Sequence, residues 1–293
     1  MTTATEDMKI RAISPWFGSK RTLAPKIIEE LGPHRAYWEP FCGSMAVLLA
    51  KEPSSFETVN DLHGDLINMA RVLADESTAV DMYGRLSRML MHEDVFRSAA
   101  EQFRARGHTA ADETPDTTRA VNFFVCSWMG RNGVAGTQSY NQGFCVRYTK
   151  NGGHAGTRFQ SCVQSIPAWH ERLRRVTILN RDGLSLLERI EDAPGVSIYC
   201  DPPYLVKGAS YVHDFASEDH QRLASALCRF ERTRVVVSYY DHPLLETMYP
   251  GWTIRKVYTN KALVNQGMRD QKGATVAPEV LLINGPSYAT EAV

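Results

Sequence analysis

The chain has 293 residues, with 33 lysines and arginines against 33 aspartates and glutamates, so its formal net charge is zero. Hydrophobic residues make up 43% of it and charged residues 23%, which is typical of a globular protein with one large domain or two. This balance excludes a uniformly basic nucleic-acid-binding protein but leaves room for a local basic surface.

No part of the sequence predicts export, membrane insertion or a metal site. The apolar runs are too short to span a membrane, and the polar residues 1–7 do not resemble a secretory signal. The six cysteines form no Cys-x-x-Cys pair and no zinc-like spacing. We therefore expect reduced thiols, a cytoplasmic location and no membrane partner.

The N-terminal region places an aromatic ring, a glycine and a lysine ahead of a predicted helix over residues 23–31. Trp16, Gly18 and Lys20 could line a nucleotide-like ligand. Composition alone favours a plainer interpretation, in which the tryptophan fills the core and the lysine is solvated.

A strand, a small-residue turn and an apolar helix follow in residues 37–49. The strand ends in Glu39, and the turn contains Phe41, Cys42, Gly43 and Ser44. Such a turn brings backbone N–H groups and a helix N-terminus against a ligand. It lacks the several glycines of a dinucleotide fingerprint, and an acid beside a small-residue turn suits a zwitterionic amino acid better.

A second predicted strand, over residues 58–60, ends at Asp61. An acid in this position commonly holds ribose hydroxyls. Alternatively, Asn60 and Asp61 cap the helix that follows them. We expect Asp65 to be a structural acid rather than a ligand.

Residues 69–125 have the apolar spacing of helices, interrupted by a predicted loop at residues 104–118. The segment 126–175 differs, because it holds seven lysines and arginines, seven glycines and one acid, with aromatic rings between them. Basic, glycine-rich loops with aromatic residues suit the gripping of phosphates and the reading of base edges, although a solvated surface loop is the alternative. Together with a loop after Tyr204, the candidate nucleic-acid contacts are Arg131, Asn132, Arg147, Lys150, Asn151 and Lys207.

A third predicted strand precedes Asp182, and a fourth, over residues 196–200, is followed by Asp201-Pro202-Pro203-Tyr204. The Asp201 carboxylate and a rigid proline carbonyl can accept hydrogen bonds, and Tyr204 offers a flat face. Together they suit the exocyclic amino group of a base, and methyltransferases that act on such nitrogens have this pattern. An ordinary strand-ending turn is the alternative.

Strands that end in acids and alternate with helices predict a Rossmann-like, doubly wound, mostly parallel α/β sheet. Glu39, Asp61, Asp182 and Asp201 would then lie along one edge, and the basic segment would overhang it. Towards the C-terminus we expect a helix over residues 218–230 and strands over residues 234–241 and 279–284.

Two motifs, Glu39-Pro40-Phe41-Cys42-Gly43-Ser44 and Asp201-Pro202-Pro203-Tyr204, flank the basic segment in this order. With them, the chain resembles the Dam-like (D12-class, α-group) DNA adenine-N6 methyltransferases of phage or prophage type, from about Ser14 to Asn284. The resemblance implies the class I methyltransferase fold, S-adenosyl-L-methionine as methyl donor, and flipping of an adenine of double-stranded DNA into a pocket at Tyr204. Ser19 replaces a second glycine that is usual in the family.

The resemblance also implies roles for individual residues. Asp61 matches the ribose-side acid, and Asp201 would contact both the methionine end of the donor and the target amine. The expected catalytic residues are Asp201, Pro202 and Tyr204, and the expected cofactor-binding residues are Trp16, Lys20, Glu39, Phe41, Gly43, Asp61, Asp182 and Asp201.

Residues 1–70 and 176–293 are expected to form the catalytic domain, and residues 71–175 an inserted, mainly helical and loop-containing DNA target-recognition domain. We expect a monomer without an obligatory protein partner, in the cytoplasm of a prokaryotic or phage-infected cell, in a restriction–modification or phage setting. Cytosine-N4 or RNA amino methylation and a catalytically silent DNA-binding subunit remain alternatives. The recognition sequence does not follow from the resemblance.

Overall fold

The computed structural model describes residues 10–130, 135–137, 143–146, 154–205, 211–260 and 276–289. Within these ranges the chain forms one seven-stranded sheet in the order β3-β2-β1-β4-β5-β7-β6. β1 to β5 are mutually parallel, and β7 pairs antiparallel with both β5 and β6. The strands are β1 (Ala36–Glu39), β2 (Phe56–Asn60), β3 (Thr177–Leu179), β4 (Val196–Cys200), β5 (Arg234–Tyr240), β6 (Thr253–Asn260) and β7 (Val276–Ile283). The predicted mostly parallel, Rossmann-like fold is confirmed.

Helices join the parallel strands and supply the apolar layers on the sheet. They are α1 (Ala24–Leu31), α2 (Ala46–Ala50), α3 (Gly64–Ala74), α4 (Glu76–Ser87), α5 (Glu93–Arg106), α6 (Thr117–Met129), α7 (Ala155–Leu173), α8 (Gly183–Leu187), α9 (Ser217–Cys228) and α10 (Leu244–Met248). None of the helices in the described ranges combines the length and apolar composition that crossing a membrane requires.

The core consists of two apolar clusters, one on each face of the sheet. Tyr199 and Val236 belong to the cluster that α1 to α7 cover, whereas Ile198 and Val235 belong to the cluster under α8, α9 and α10. Successive residues of a strand point to opposite faces, so one β-branched or apolar run can fill both layers. This burial on both faces explains why β4 and β5 are mainly hydrophobic in sequence and lack the alternation of a half-exposed strand.

Helices α4 to α7 lie between β2 and β3 in the chain and pack on α3 and on one another. Arg172 of α7 donates to Glu57 Oε1 of β2 at 2.8 Å and to the Leu48 carbonyl oxygen at 3.0 Å. These bonds join the C-terminal end of α7 to the sheet. Residues 71–175 thus share the first apolar cluster with the sheet, and their assignment to a separate recognition domain stays a prediction.

The basic segment is only partly a loop. Residues 155–173 form α7, in which Phe159, Trp169 and Arg172 are buried. The expectation of a glycine-rich recognition loop up to residue 175 is therefore wrong for this part. The physical reason is the apolar spacing of Phe159, Cys162, Val163, Ile166, Trp169 and Leu173, which gives α7 one buried face.

Candidate active site

The four predicted acids are at the carboxyl ends of the parallel strands, as the sequence indicates. Glu39 is the last residue of β1, Asp61 and Asp201 directly follow β2 and β4, and Asp182 follows β3. A pocket at this edge of the sheet is lined by the predicted residues Trp16, Phe41, Gly43, Asp61, Asp182, Asp201 and Pro202. Lys20 and Glu39 line a second, smaller recess next to the pocket. Three residues line both cavities: Trp16, Gly43 and Asp201.

Asp201 is held from two sides. Its Oδ1 accepts a hydrogen bond from Ser238 Oγ of β5 at 2.8 Å, and its Oδ2 accepts one from Lys20 Nζ at 2.9 Å. Each carboxylate oxygen has two lone pairs, so both can accept a further donor from a ligand. The geometry thus fixes the direction of the carboxylate without using up its acceptor capacity.

Lys20 is a buried ion-pair partner and not a solvated lysine, so the plainer interpretation of this residue is wrong. Its side chain is 5% exposed, and Nζ also donates to the Gly18 carbonyl oxygen at 2.7 Å. Burial is the largest single influence and opposes the charged form, but Asp201, Tyr199 and Glu279 together outweigh it and raise the pKa of Lys20. The ammonium group is therefore a permanent charge in the site.

Trp16 lines the pocket and is only partly buried, so it does not fill the core. Two glycines make room for its ring. A Cβ atom on Gly43 would lie 2.9 Å from the ring, and one on Gly136 would lie 2.4 Å from it. Phe41 forms another aromatic wall, where a Cβ atom on Gly183 would lie 2.6 Å from the ring. The pocket walls thus include two aromatic rings that pack directly against glycine backbone.

Asp61 connects the glycine turn to β2. Its Oδ2 accepts from the Gly43 amide and its Oδ1 from the His63 amide, both at 2.9 Å. Burial raises the pKa of Asp61 above its ordinary value, and the amide donors oppose this rise. The N-cap of α3 is His63, whose ring accepts from the Leu66 amide at 3.3 Å, so the alternative role of Asp61 as the cap is wrong.

Glu39 is the most deeply buried acid of this edge. Tyr37 Oη donates to its Oε2 at 2.8 Å. Burial raises its pKa to about 8, with the negative charge of Asp201 adding to the rise and the Tyr37 hydroxyl opposing it. Glu39 therefore carries a proton through most of the neutral range.

Asp182 caps α8, since its Oδ1 accepts from both the amide and the hydroxyl of Ser185 at 2.8 Å. It is exposed and lies on the pocket wall with Phe41 and Gly183. Phe215 contacts the Phe41 ring edge-on at a centroid distance of 5.7 Å. This end of the pocket combines aromatic surfaces with a carboxylate, an arrangement that suits a flat ring bearing an amino group.

Tyr204 is held by Lys20, which the sequence predicted for the site, and by Tyr240 and Glu279, which it did not. Its ring packs edge-on against Tyr240 at 4.6 Å, and Lys20 Nζ lies 5.1 Å from the ring centre. Its hydroxyl donates to Glu279 Oε1 at 3.4 Å. The sequence predicted a strand over residues 234–241 that ends at polar residues, but no pattern assigned Tyr240 or Glu279 to the site.

Further residues missed from the sequence also line the pocket: Phe17, Leu62, His63, Gly136, Gly183, Tyr211, His213 and Phe215. His63 Nε2 is buried and has no hydrogen-bond partner within the described chain. Burial lowers the pKa of His63 to about 3, so its ring is neutral. A polar atom left unpaired at the wall of a pocket is what a ligand-binding site provides.

His63, Asp65 and His108 have ligand-type atoms within 4.8 Å of one another. The chemistry of this set does not suit a metal ion. His63 Nδ1 accepts the capping bond, so Nε2 carries the proton of the neutral ring and cannot coordinate. Asp65 already accepts from Arg119 Nε at 2.8 Å in a buried ion pair, which confirms its structural role.

The candidate nucleic-acid contacts are not placed by the structure. Arg131, Asn132, Arg147, Lys150, Asn151 and Lys207 lie outside the described residues. They stay predictions from the sequence.

The fold and the site define a Rossmann-like methyltransferase that acts on an amino group. Residues 16–266 match the D12 class N6 adenine-specific DNA methyltransferases, and the chain belongs to this family. It is 26% identical to the retron Ec67 DNA adenine methylase of Escherichia coli over 280 residues, which cover 93% of this chain and 91% of that protein. It is 25% identical to a DNA adenine methylase of Serratia marcescens over 251 residues, or 82% of this chain and 87% of that protein. The prediction of an adenine-specific DNA methyltransferase is confirmed.

Proposed function

We propose that the chain transfers a methyl group from S-adenosyl-L-methionine to N6 of an adenine that is flipped out of double-stranded DNA. The main support is the position of the Asp201 carboxylate, which Lys20 and Ser238 hold at the carboxyl edge of the sheet. Family membership supports adenine as the target. The identity of the donor, the duplex substrate and base flipping are parts of the proposal.

The donor set of the pocket fits S-adenosyl-L-methionine. The recess with Lys20 and Glu39 offers charged and acidic groups for the amino-acid end, and Asp61 is an acceptor for ribose hydroxyls. Phe41 and Asp182 suit a flat aminopurine, and the Trp16 ring lies directly against Gly43, where a Cβ atom would clash with it. When bound, S-adenosyl-L-methionine supplies a methyl group activated by a positively charged sulfur.

The residues of the Asp201-Pro202-Pro203-Tyr204 motif act on the target base. The lone pair of an adenine amino group is delocalised into the ring, so the nitrogen is a weak nucleophile. Asp201 accepts one N–H hydrogen and the Pro202 carbonyl oxygen accepts the other, which favours a pyramidal, nucleophilic nitrogen. Tyr204 stacks on the base. This scheme requires no covalent intermediate and no strong general base, because the methylated nitrogen is acidic and would release its extra proton along the hydrogen bond to the Asp201 carboxylate.

DNA is bound mainly by the inserted region, residues 71–175. Its helices α4 to α7 form a buried frame, and the segment between α6 and α7 contains Arg131, Asn132, Arg147, Lys150 and Asn151. Basic side chains there grip phosphates, and the amide side chains read base edges. We further propose that the enzyme acts as a monomer in the cytoplasm, where its six free thiols stay reduced.

Modification-sensitive sequencing of DNA from cells that express the protein tests this proposal. We expect N6-methyladenine in one short motif with the wild-type protein and none with Asp201→Ala. The control is Glu246→Ala, which removes an exposed acid on α10, outside the inserted region, and should leave methylation intact. Unmodified DNA from wild-type cells, or an active and folded Asp201→Ala protein, would contradict the proposal.

A further inference from the structure

Strand β7 brings one acid into the active site that the proposed chemistry does not use. Glu279 pairs in register with Tyr240 of β5, and its side chain is 10% exposed. β7 is the antiparallel strand between β5 and β6, so the residue reaches the site from outside the parallel part of the sheet. A buried acid at this position requires partners, since an unpaired buried charge is costly.

Two groups of the active site face Glu279. Tyr204 Oη donates to its Oε1 at 3.4 Å, and Lys20 Nζ lies 4.0 Å from the same oxygen. Burial raises the pKa of Tyr204 well above its ordinary value, so the phenol keeps its proton and acts as the donor. Burial also raises the pKa of Glu279, and Asp201 adds to this rise while Lys20 opposes it.

These contacts join the polar side chains of the site. Lys20 donates to Asp201 at 2.9 Å and lies 4.0 Å from Glu279, which accepts from Tyr204. The acceptor of the target amine and the aromatic ring for the target base are thereby connected through Lys20 and Glu279.

We propose that Glu279 is a positioning residue, which holds the Tyr204 hydroxyl so that the ring presents its face to the target adenine. The Tyr240 ring sets the position of Tyr204 by packing, but packing alone lets an edge-on ring tilt. The hydrogen bond to Glu279 removes this freedom. The inference rests on the proposed stacking of the target base on Tyr204.

Two features distinguish this role from a merely structural one. The bond requires an acceptor at residue 279 and a hydroxyl at residue 204, so removing either partner should have the same consequence. A glutamine at residue 279 keeps an acceptor oxygen at nearly the same place, so it should preserve the bond.

The experiment is a double-mutant cycle with Tyr204→Phe, Glu279→Met and the combined variant, together with Glu279→Gln. Methyl transfer to DNA is measured as N6-methyladenine by mass spectrometry, with separate kcat and cofactor KM values. We expect each single variant to lower kcat about tenfold with an unchanged cofactor KM, since the loss of one buried side-chain hydrogen bond has about this size. The combined variant should be no slower than the singles, and Glu279→Gln should recover most of the rate.

Additive losses in the combined variant would overturn the inference, as would a Glu279→Gln protein that is as slow as Glu279→Met. Glu246→Gln, at an exposed acid on α10, is the control for removing a negative charge. If Glu279→Met does not fold, Glu279→Ala replaces it in the cycle. A wild-type protein that does not methylate adenine would contradict the proposed function instead, so the two failures are distinguishable.

Discussion

At the scale of single residues, the site depends on charges that are buried against one another. Lys20 stays charged because of Asp201, whereas burial keeps Glu39 protonated up to a pKa of about 8. One edge of the sheet therefore holds a fixed cation, its anion and a neutral acid. Because Glu39 is buried and holds a proton whereas Asp201 is paired with Lys20, Glu39 should make the stability of the protein depend on pH.

Replacing Glu39 by glutamine should change how stability depends on pH. The folded pKa of about 8 lies above the ordinary 4.5, so the folded protein binds this proton more tightly than the unfolded chain does. The contribution of Glu39 to stability is full below pH 4.5 and is lost as the pH rises through 8. Glutamine does not titrate, so the free energy of unfolding of Glu39→Gln minus that of wild type should increase over this range.

Urea unfolding at several values between pH 4.5 and 8.5 measures this difference. Glu52→Gln is the control, because Glu52 is an exposed glutamate in the segment before β2. Its curve should run parallel to that of the wild-type protein. Parallel curves for Glu39→Gln as well would show that Glu39 does not hold a proton in the folded state.

At the scale of elements, the turn after β1 demands glycine for two separate reasons. Gly43 has a φ of +43°, and a Cβ atom there would also meet the Trp16 ring at 2.9 Å. Gly251 has a φ of +78° but nothing within 4 Å of its Cβ position. Gly43→Ala and Gly251→Ala should each cost about 1 kcal/mol through the backbone, but only Gly43→Ala displaces the ring. We expect a loss of S-adenosyl-L-methionine affinity of about tenfold or more for Gly43→Ala alone, measured by calorimetry. Equal affinities in the two variants would show that the position of the Trp16 ring does not affect cofactor binding.

A buried ion pair fixes helix α7 to β2, and removing one of its partners should destabilise the fold. Arg172 and Glu57 are each about 2% exposed, and Lys51 shares the same carboxylate. Arg172→Met should destabilise the protein by about 3 kcal/mol or more, because the loss leaves a buried acid with one cation fewer. Arg174→Met, at a half-exposed arginine paired with Glu171, should cost less than about 1 kcal/mol. Chemical unfolding of both variants measures the contrast, and similar losses would contradict it.

The elements differ in how well the sequence predicted them. β4 and β5 are mainly apolar runs in which serine is the only polar interior residue, which is typical of strands buried on both faces, and acids follow both strands directly. β6 is not predicted, because Arg255 and Lys256 interrupt its apolar residues and it pairs with β7 alone, as an edge strand does. α7 is not predicted, because the glycines and basic residues around it resemble a loop, although the spacing of its apolar residues is helical. The partners Ser238 and Glu279 come from distant strands, so no local pattern could join them to Asp201 and Tyr204.

At the scale of the whole molecule, a chain with no net charge has to bind a polyanion. Attraction by total charge is absent, so DNA affinity must come from local cations, and the segment 126–175, with Arg131, Arg147 and Lys150, is the predicted source. Each cation that neutralises a phosphate releases counterions, which gives a measurable dependence of affinity on salt.

Arg147→Ala combined with Lys150→Ala tests this source. If both side chains contact phosphates, the slope of log affinity against log salt should become shallower by about 1.8, at roughly 0.9 per phosphate. Fluorescence anisotropy with a labelled duplex over a series of salt concentrations measures the slope. Lys26→Ala, at an exposed lysine on α1, should leave it unchanged. The slope is measured because it reports the number of phosphate contacts, whereas affinity at one salt concentration can fall for other reasons. An unchanged slope in the double variant would show that Arg147 and Lys150 do not contact phosphates.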